Sequence, residues 1–277
     1  MTAAASERIF EFLDEKEEKE DEVRHRLQKE NTKGAITFEH VSFGYEDSDK
    51  IVIKDFSAQV NAGQKIAIVG PTGAGKTTMV KLLMRFHDLT DGAIYLDGKK
   101  TDEFDRCDIR RAFGMVLQDT WLYNGTIMDN IRYGRLDATD DEVIRAAKAA
   151  QADHFIRTLP EGYNMIINEE ASNISQGQKQ LLTIARAVLS DSRVLILDEA
   201  TSSVDTRTEI LIQRAMDTLM KGRTSFIIAH RLSTIRNADL ILCMKDGDIV
   251  EQGNHMELME KNGFYALLYN SQFEQVG

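Results

Sequence analysis

No stretch of this 277-residue chain comes near the ~20 consecutive apolar residues that cross a bilayer, so none is expected to span a membrane. No apolar leader follows Met1, and secretion is not expected. Runs of lysine and arginine are missing, and acidic residues outnumber basic ones by 45 to 34, for a net charge of −11. That balance argues against nucleic acid as a partner. Cysteine is scarce: Cys107 and Cys243 stand far apart, outside any metal-binding spacing, and suit a reducing compartment as small buried side chains. Internal repeats are absent, and so is the Asn-Lys-x-Asp pattern of guanine recognition. What remains, 42% hydrophobic and 29% charged residues, is an ordinary globular composition with ample length for a core.

One stretch organises the chain: Gly70-Pro71-Thr72-Gly73-Ala74-Gly75-Lys76-Thr77-Thr78. It follows the apolar run 65–69 and precedes a helical pattern at 79–84, the strand, loop and helix context that a phosphate-binding loop requires. Glycines let the backbone wrap a phosphate so that several N–H groups point at one anion, and the following helix adds its positive end. Lys76 brings a full charge to the outer phosphates, and the Thr77 hydroxyl can ligate Mg²⁺. This is read as a nucleoside-triphosphate site.

Around it, alternating residues at 35–41 predict a strand, with more strands at 51–60, 65–69, 93–96 and 114–117. Between 120 and 190 the texture is helical. A capping box at Thr139–Glu142 opens one helix, 153–159 forms a second, and 178–189 a third with Leu181, Leu182, Ala185 and Leu189 on its apolar side. Strand and helix then alternate: 193–197, a helix at 206–220, 224–228, and a pair at 240–244 and 248–251 about the turn Lys245-Asp246-Gly247. Residues 255–273 read as one or two amphipathic helices. The N-terminal segment differs, with the apolar patch 9–13 lacking an obvious partner and 14–30 reading as a solvated helix or linker.

The ends of the later strands carry chemistry. Asp198 and Glu199 follow a fully apolar strand, where ligands bind in open parallel sheets. Asp198 is placed to hold Mg²⁺ and Glu199 to accept a proton from water. His230 follows the strand at 224–228 and could hydrogen-bond a γ-phosphate and water, although a lone histidine there is more often structural. Gln118 offers an amide oxygen to metal or water. Ser175-Gln176-Gly177-Gln178 opens the third helix; capping explains the serine alone, whereas Gly177 permits close backbone approach at a helix end that attracts anions.

In this order the motifs resemble the nucleotide-binding domain of an ABC transporter of the exporter type, over residues 34–273. The resemblance implies an α/β fold with a P-loop (RecA-like) core, an N-terminal antiparallel β region and a helical subdomain at 119–190, between core segments 34–118 and 191–273. It assigns 1–33 to a connection from a transmembrane domain of the same polypeptide and 274–277 to a tail. It further implies that Tyr45 stacks on adenine, that Gly70 to Thr78 hold the phosphates of ATP, and that Gln118, Asp198 and Thr77 serve Mg²⁺. Glu199 becomes the catalytic glutamate and His230 its partner. Ser175, Gly177, Gln178 and Asp205 then face the ATP of a second nucleotide-binding domain, as homodimer or heterodimer, at the cytoplasmic face of the membrane. Two departures stand out: Gln176 replaces the usual first glycine of the Leu-Ser-Gly-Gly-Gln signature and Ile174 its leucine, and 167–173 lacks the usual Glu-Arg-Gly. A soluble ABC ATPase of DNA repair or translation, or a non-hydrolysing switch, would carry related motifs. The first would add coiled-coil insertions or tandem domains, and the second would not need both Glu199 and His230.

Overall fold

A computed structural model describes residues 2–15, 23–45, 50–117, 120–168, 172–198, 204–229 and 231–273. Its strands are β1 (Ile36–Gly44), β2 (Ile51–Val60), β3 (Lys65–Val69), β4 (Asp91–Leu96), β5 (Lys99–Lys100), β6 (Phe113–Val116), β7 (Gly125–Thr126), β8 (Ile166–Ile167), β9 (Val194–Asp198), β10 (Thr224–Ile228), β11 (Leu240–Lys245) and β12 (Asp248–Gly253). Its helices are α1 (Thr2–Leu13), α2 (Lys76–Leu83), α3 (Arg106–Ala112), α4 (Ile127–Arg132), α5 (Asp140–Ala149), α6 (Asp153–Thr158), α7 (Gln176–Ser190), α8 (Thr206–Met220), α9 (Leu232–Arg236), α10 (His255–Lys261) and α11 (Phe264–Phe273).

The central sheet runs β12-β11-β3-β10-β9-β6. Its strands are parallel except β12, which returns antiparallel to β11. Apolar residues occupy both faces of these strands, so each strand feeds two cores in alternation. Ala67, Val69, Leu195, Leu197, Ile227, Ile241 and Cys243 point into one core, which they share with α4, α5, α7 and α8. Their neighbours Ile66, Ile68, Val194, Ile196, Phe226, Ile228, Leu242 and Met244 point into the other. There they meet α2 and the antiparallel sheet β2-β1-β4-β5. Met79, Val80, Leu82 and Leu83 of α2 are buried in that second core, so the helix after the glycine-rich loop is fixed by apolar contacts.

The helical stretch carries its caps in its sequence. In α5, Thr139 Oγ1 accepts from the Glu142 amide and Glu142 Oε2 accepts from the Thr139 amide at 2.9 Å, closing the expected capping box. Leu181, Leu182, Ile184 and Ala185 of α7 are buried against Ile127 and Ile131 of α4 and Val143 of α5.

At the N-terminus α1 presents Phe10 at 63% and Phe12 at 78% exposure. Its apolar patch thus has no cover among the described residues. No helix of the described residues is long and apolar enough to cross a membrane.

Candidate nucleotide-binding site

The loop 70–75 turns back from the end of β3 into α2 through backbone angles that favour glycine. Gly70, Gly73 and Gly75 have φ of 152°, 82° and 100°. Two of these glycines are also closely confined. A Cβ on Gly70 would lie 2.2 Å from the Met244 carbonyl oxygen, and one on Gly75 would lie 2.8 Å from Ile53 Cδ1. The first helical bond of α2 runs from the Met79 amide to the Gly75 carbonyl at 2.9 Å. The amides of Lys76, Thr77 and Thr78 therefore form the donor-rich first turn of the helix. Lys76 is half-buried and its Nζ donates to the Gly70 and Pro71 carbonyls at 2.7 and 3.0 Å. Thr72, Gly73 and Thr77 are exposed, whereas Ala74 and Thr78 are buried.

Asp198, the last residue of β9, stands level with Ile228 of β10, which in turn stands level with Ile68 of β3. The acid and the loop thus lie at the same carboxyl end of the parallel strands, with β10 between them. Their charges act on each other. Burial lowers the Lys76 pKa by stripping water from the ammonium, and the Asp198 carboxylate opposes that shift. The first-turn amides of α2, a half-buried ammonium and a nearby carboxylate can hold a polyphosphate with a divalent cation. The residues present fit that group, and the confinement of Gly70 by Met244 and of Gly75 by Ile53 holds the loop in the shape that presents them. Among the described residues, no cluster of three His, Cys, Asp or Glu forms a metal site from protein ligands alone.

Tyr45, just past β1, packs edge-on against Phe43 and His87, with ring centroids 4.9 and 5.3 Å away. Ser175 caps α7: its Oγ accepts from the Gln178 amide at 3.3 Å, and Gln178 Oε1 accepts from the Ser175 amide at 2.9 Å. A Cβ on Gly177 would sit 2.4 Å from Thr208 Cγ2 and 3.0 Å from Val204 Cγ1. Within this chain, then, the glycine's close approach is to the start of α8. Asp205 caps α8, its carboxylate accepting from the Thr208 amide at 3.0 Å. That bond and further ones hold its pKa below the usual carboxylate range. None of the partners described for 175–178 and Asp205 belongs to the loop 70–78. Gln118, Glu199 and His230 lie outside the described residues.

Residues 53–202 match the family model described as ABC transporter. The chain belongs to the ABC transporter family. It is the ATP-binding domain of that family, and its relatives include exporters. It is 55% identical over 262 residues to a fatty acid ABC transporter ATP-binding/permease protein of Mycobacterium bovis, covering 95% of this chain and 41% of that one. An ABC transporter ATP-binding protein of Bacillus subtilis, YfiC, is 54% identical over 272 residues, covering 98% of this chain and 45% of the relative. Among solved structures, a bacterial Atm1-family ABC exporter with ATP bound superimposes with a TM-score of 0.86 at 40% identity, covering 97% of this chain and 46% of that chain. The chain thus spans less than half the length of these relatives.

The ABC domain also contains a support for the loop that the motifs do not reveal. The turn between β11 and β12 lies against it, with the Gly247 amide donating to the Ala74 carbonyl at 3.2 Å. Gly247 in turn accepts from the Lys54 amide of β2 at 3.0 Å. Met244, which confines Gly70, belongs to the same hairpin. In the sequence the signal at 245–247 is only that of a tight turn. Its distance of some 170 residues from the loop hides what the turn touches.

Proposed function

We propose that this domain binds ATP with Mg²⁺, hydrolyses it, and powers an ABC exporter as one of a pair of such domains sharing two composite sites. The observation that carries this reading is the glycine-built loop Gly70–Thr78 with Lys76, at the same carboxyl end of the parallel strands as Asp198.

In this reading the amides of the loop and Lys76 bind the phosphates, and Tyr45 stacks on the adenine. Thr77, Asp198 and Gln118 hold the metal, which when bound neutralises charge on the transferring phosphoryl group. Glu199, next in sequence to Asp198, polarises the attacking water, and His230 keeps it and the γ-phosphate in line. Ser175, Gly177, Gln178 and Asp205 complete the site of the opposite domain. That none of the hydrogen bonds described for 175–178 reaches the chain's own loop supports this division. In this reading the transmembrane part, carried by the same polypeptide, connects through residues 1–33, and the domain works at the cytoplasmic face of the membrane. The extra length of the relatives and the exposed apolar face of α1 support that connection.

Glu199→Gln tests the reading. It should retain ATP binding and lose at least about a hundredfold in turnover, the effect of removing one preorganised group from a transition state. Wild-type turnover in that variant would remove Glu199 from the proposed role.

A further inference from the structure

Residue 230 lies between two residues that the fold pins separately. On one side the Ala229 amide donates to the Ile68 carbonyl at 3.3 Å, extending the β10–β3 pairing. On the other, the Arg231 carbonyl accepts the first bond of α9, from the Ile235 amide at 3.2 Å. The Arg231 side chain, only 17% exposed, reaches α8. Its Nη2 pairs with Glu209 Oε1 at 3.1 Å and its Nη1 donates to Gln213 Oε1 at 3.1 Å. Glu209 and Gln213 are four apart and so present one face of α8 to the planar guanidinium. Gln213 is itself oriented, since its Nε2 donates to Asp217 at 3.2 Å and leaves the oxygen for Arg231. The same end of α8 is capped by Asp205, and its Thr208 confines Gly177 of α7.

We propose that Arg231 is a positioning residue for the hydrolytic step. Its fork on Glu209 and Gln213 fixes the segment carrying His230 to α8, the helix against which the Ser175–Gln178 turn packs. This rests on the role given to His230 under the proposed function. A lysine keeps the charge but cannot span both acceptors in the same plane.

The test measures ATP binding, and single-turnover hydrolysis with enzyme in excess, for the full chain. The variants are Arg231→Lys, Glu209→Ala, His230→Ala, and each of the first two combined with His230→Ala. Arg231→Lys and Glu209→Ala should each slow hydrolysis about fivefold to tenfold while ATP affinity stays within about twofold, the scale of one charge-assisted hydrogen bond lost beside a reacting group. In the His230→Ala background both should have no further effect, because the residue they position is gone. Equal slowing with and without His230, or wild-type hydrolysis in both variants, would overturn the proposal. Wild-type hydrolysis in His230→Ala alone would instead overturn the role of His230 itself. Glu209→Ala approaches the fork from the α8 side, so a folding defect in one variant leaves the other to decide.

Discussion

Two Asp-Gly turns in this fold have almost the same backbone and different surroundings, which makes them a matched pair. Asp97-Gly98 closes β4–β5 and Asp246-Gly247 closes β11–β12, with glycine φ of 80° and 83° and aspartate φ of 51° and 50°. Replacing either glycine by alanine carries the left-handed penalty of a side chain, about 1 kcal/mol. At Gly98 nothing else follows, because a Cβ there meets no atom within 4 Å. At Gly247 a Cβ would lie 2.1 Å from the Val52 carbonyl oxygen, so the turn must move away from β2. Moving it strains two hydrogen bonds, from the Gly247 amide to Ala74 and from the Lys54 amide to Gly247, worth about 1 kcal/mol each. Gly98→Ala should then lose about 1 kcal/mol and Gly247→Ala about 3 kcal/mol. For a chain of this size that is about 2 °C against about 6 °C in Tm, measured by thermal melting. Because Ala74 belongs to the phosphate loop, Gly247→Ala should also weaken ATP binding about tenfold by titration calorimetry, with Gly98→Ala unchanged. Equal losses of stability in the two variants, or unaltered ATP affinity in Gly247→Ala, would refute the idea that this hairpin supports the loop.

Other consequences follow from the C-terminal region and the cysteines. Glu251 accepts the Phe264 and Tyr265 amides at 2.9 and 2.8 Å, capping α11 from a strand, so Glu251→Ala should lower stability by about 1 kcal/mol and speed hydrogen exchange in α11 first. His255 pairs with the buried Tyr265 hydroxyl at 2.8 Å, and burial, with Arg236 nearby, holds its pKa below 6.5. A histidine depressed in the fold takes up its proton more readily when unfolded. Its contribution is therefore complete at neutral pH and fades as pH falls through 6.5, and His255→Gln should flatten the melting temperature between pH 7.5 and 5.5. Cys243 is buried as its sequence suggests, with its pKa pushed up to about 12 by burial and Glu251, whereas Cys107, on α3, is exposed against the same expectation, so native protein should take one equivalent of a thiol reagent and denatured protein two.

Much of this fold is legible in the sequence because its central strands are short, largely apolar runs between polar or glycine-containing stretches. The strands at 65–69, 193–197 and 224–228 are visible for that reason, as are the capped starts of α5 and α7. The short helices α3, α4 and α9 are less so, since five to seven residues hold too little periodicity to separate from a loop. At the site, the phosphate loop and Asp198 declare themselves through residue type and context. The surroundings of Gly177 do not: its spacing suggests close approach to an anion, and only the packing of α7 on α8 shows Thr208 and Val204 beside it. Nor could spacing place Arg231, which precedes α9, on Glu209 of α8, a pairing made by the fold alone.

The central claim is that the loop at Gly70 is half of a site that a second chain completes. It can be tested by mixing two disabled chains in the Glu199→Gln background, one with Lys76→Ala and the other with Ser175→Arg. Each alone has two broken composite sites, whereas the mixed pair regains one intact site, from Lys76 of the second chain and Ser175 of the first. Sedimentation with Mg²⁺ and ATP should show each variant alone as a monomer and the mixture as a dimer. A mixture that stays monomeric while Glu199→Gln by itself dimerises with ATP would contradict the shared site.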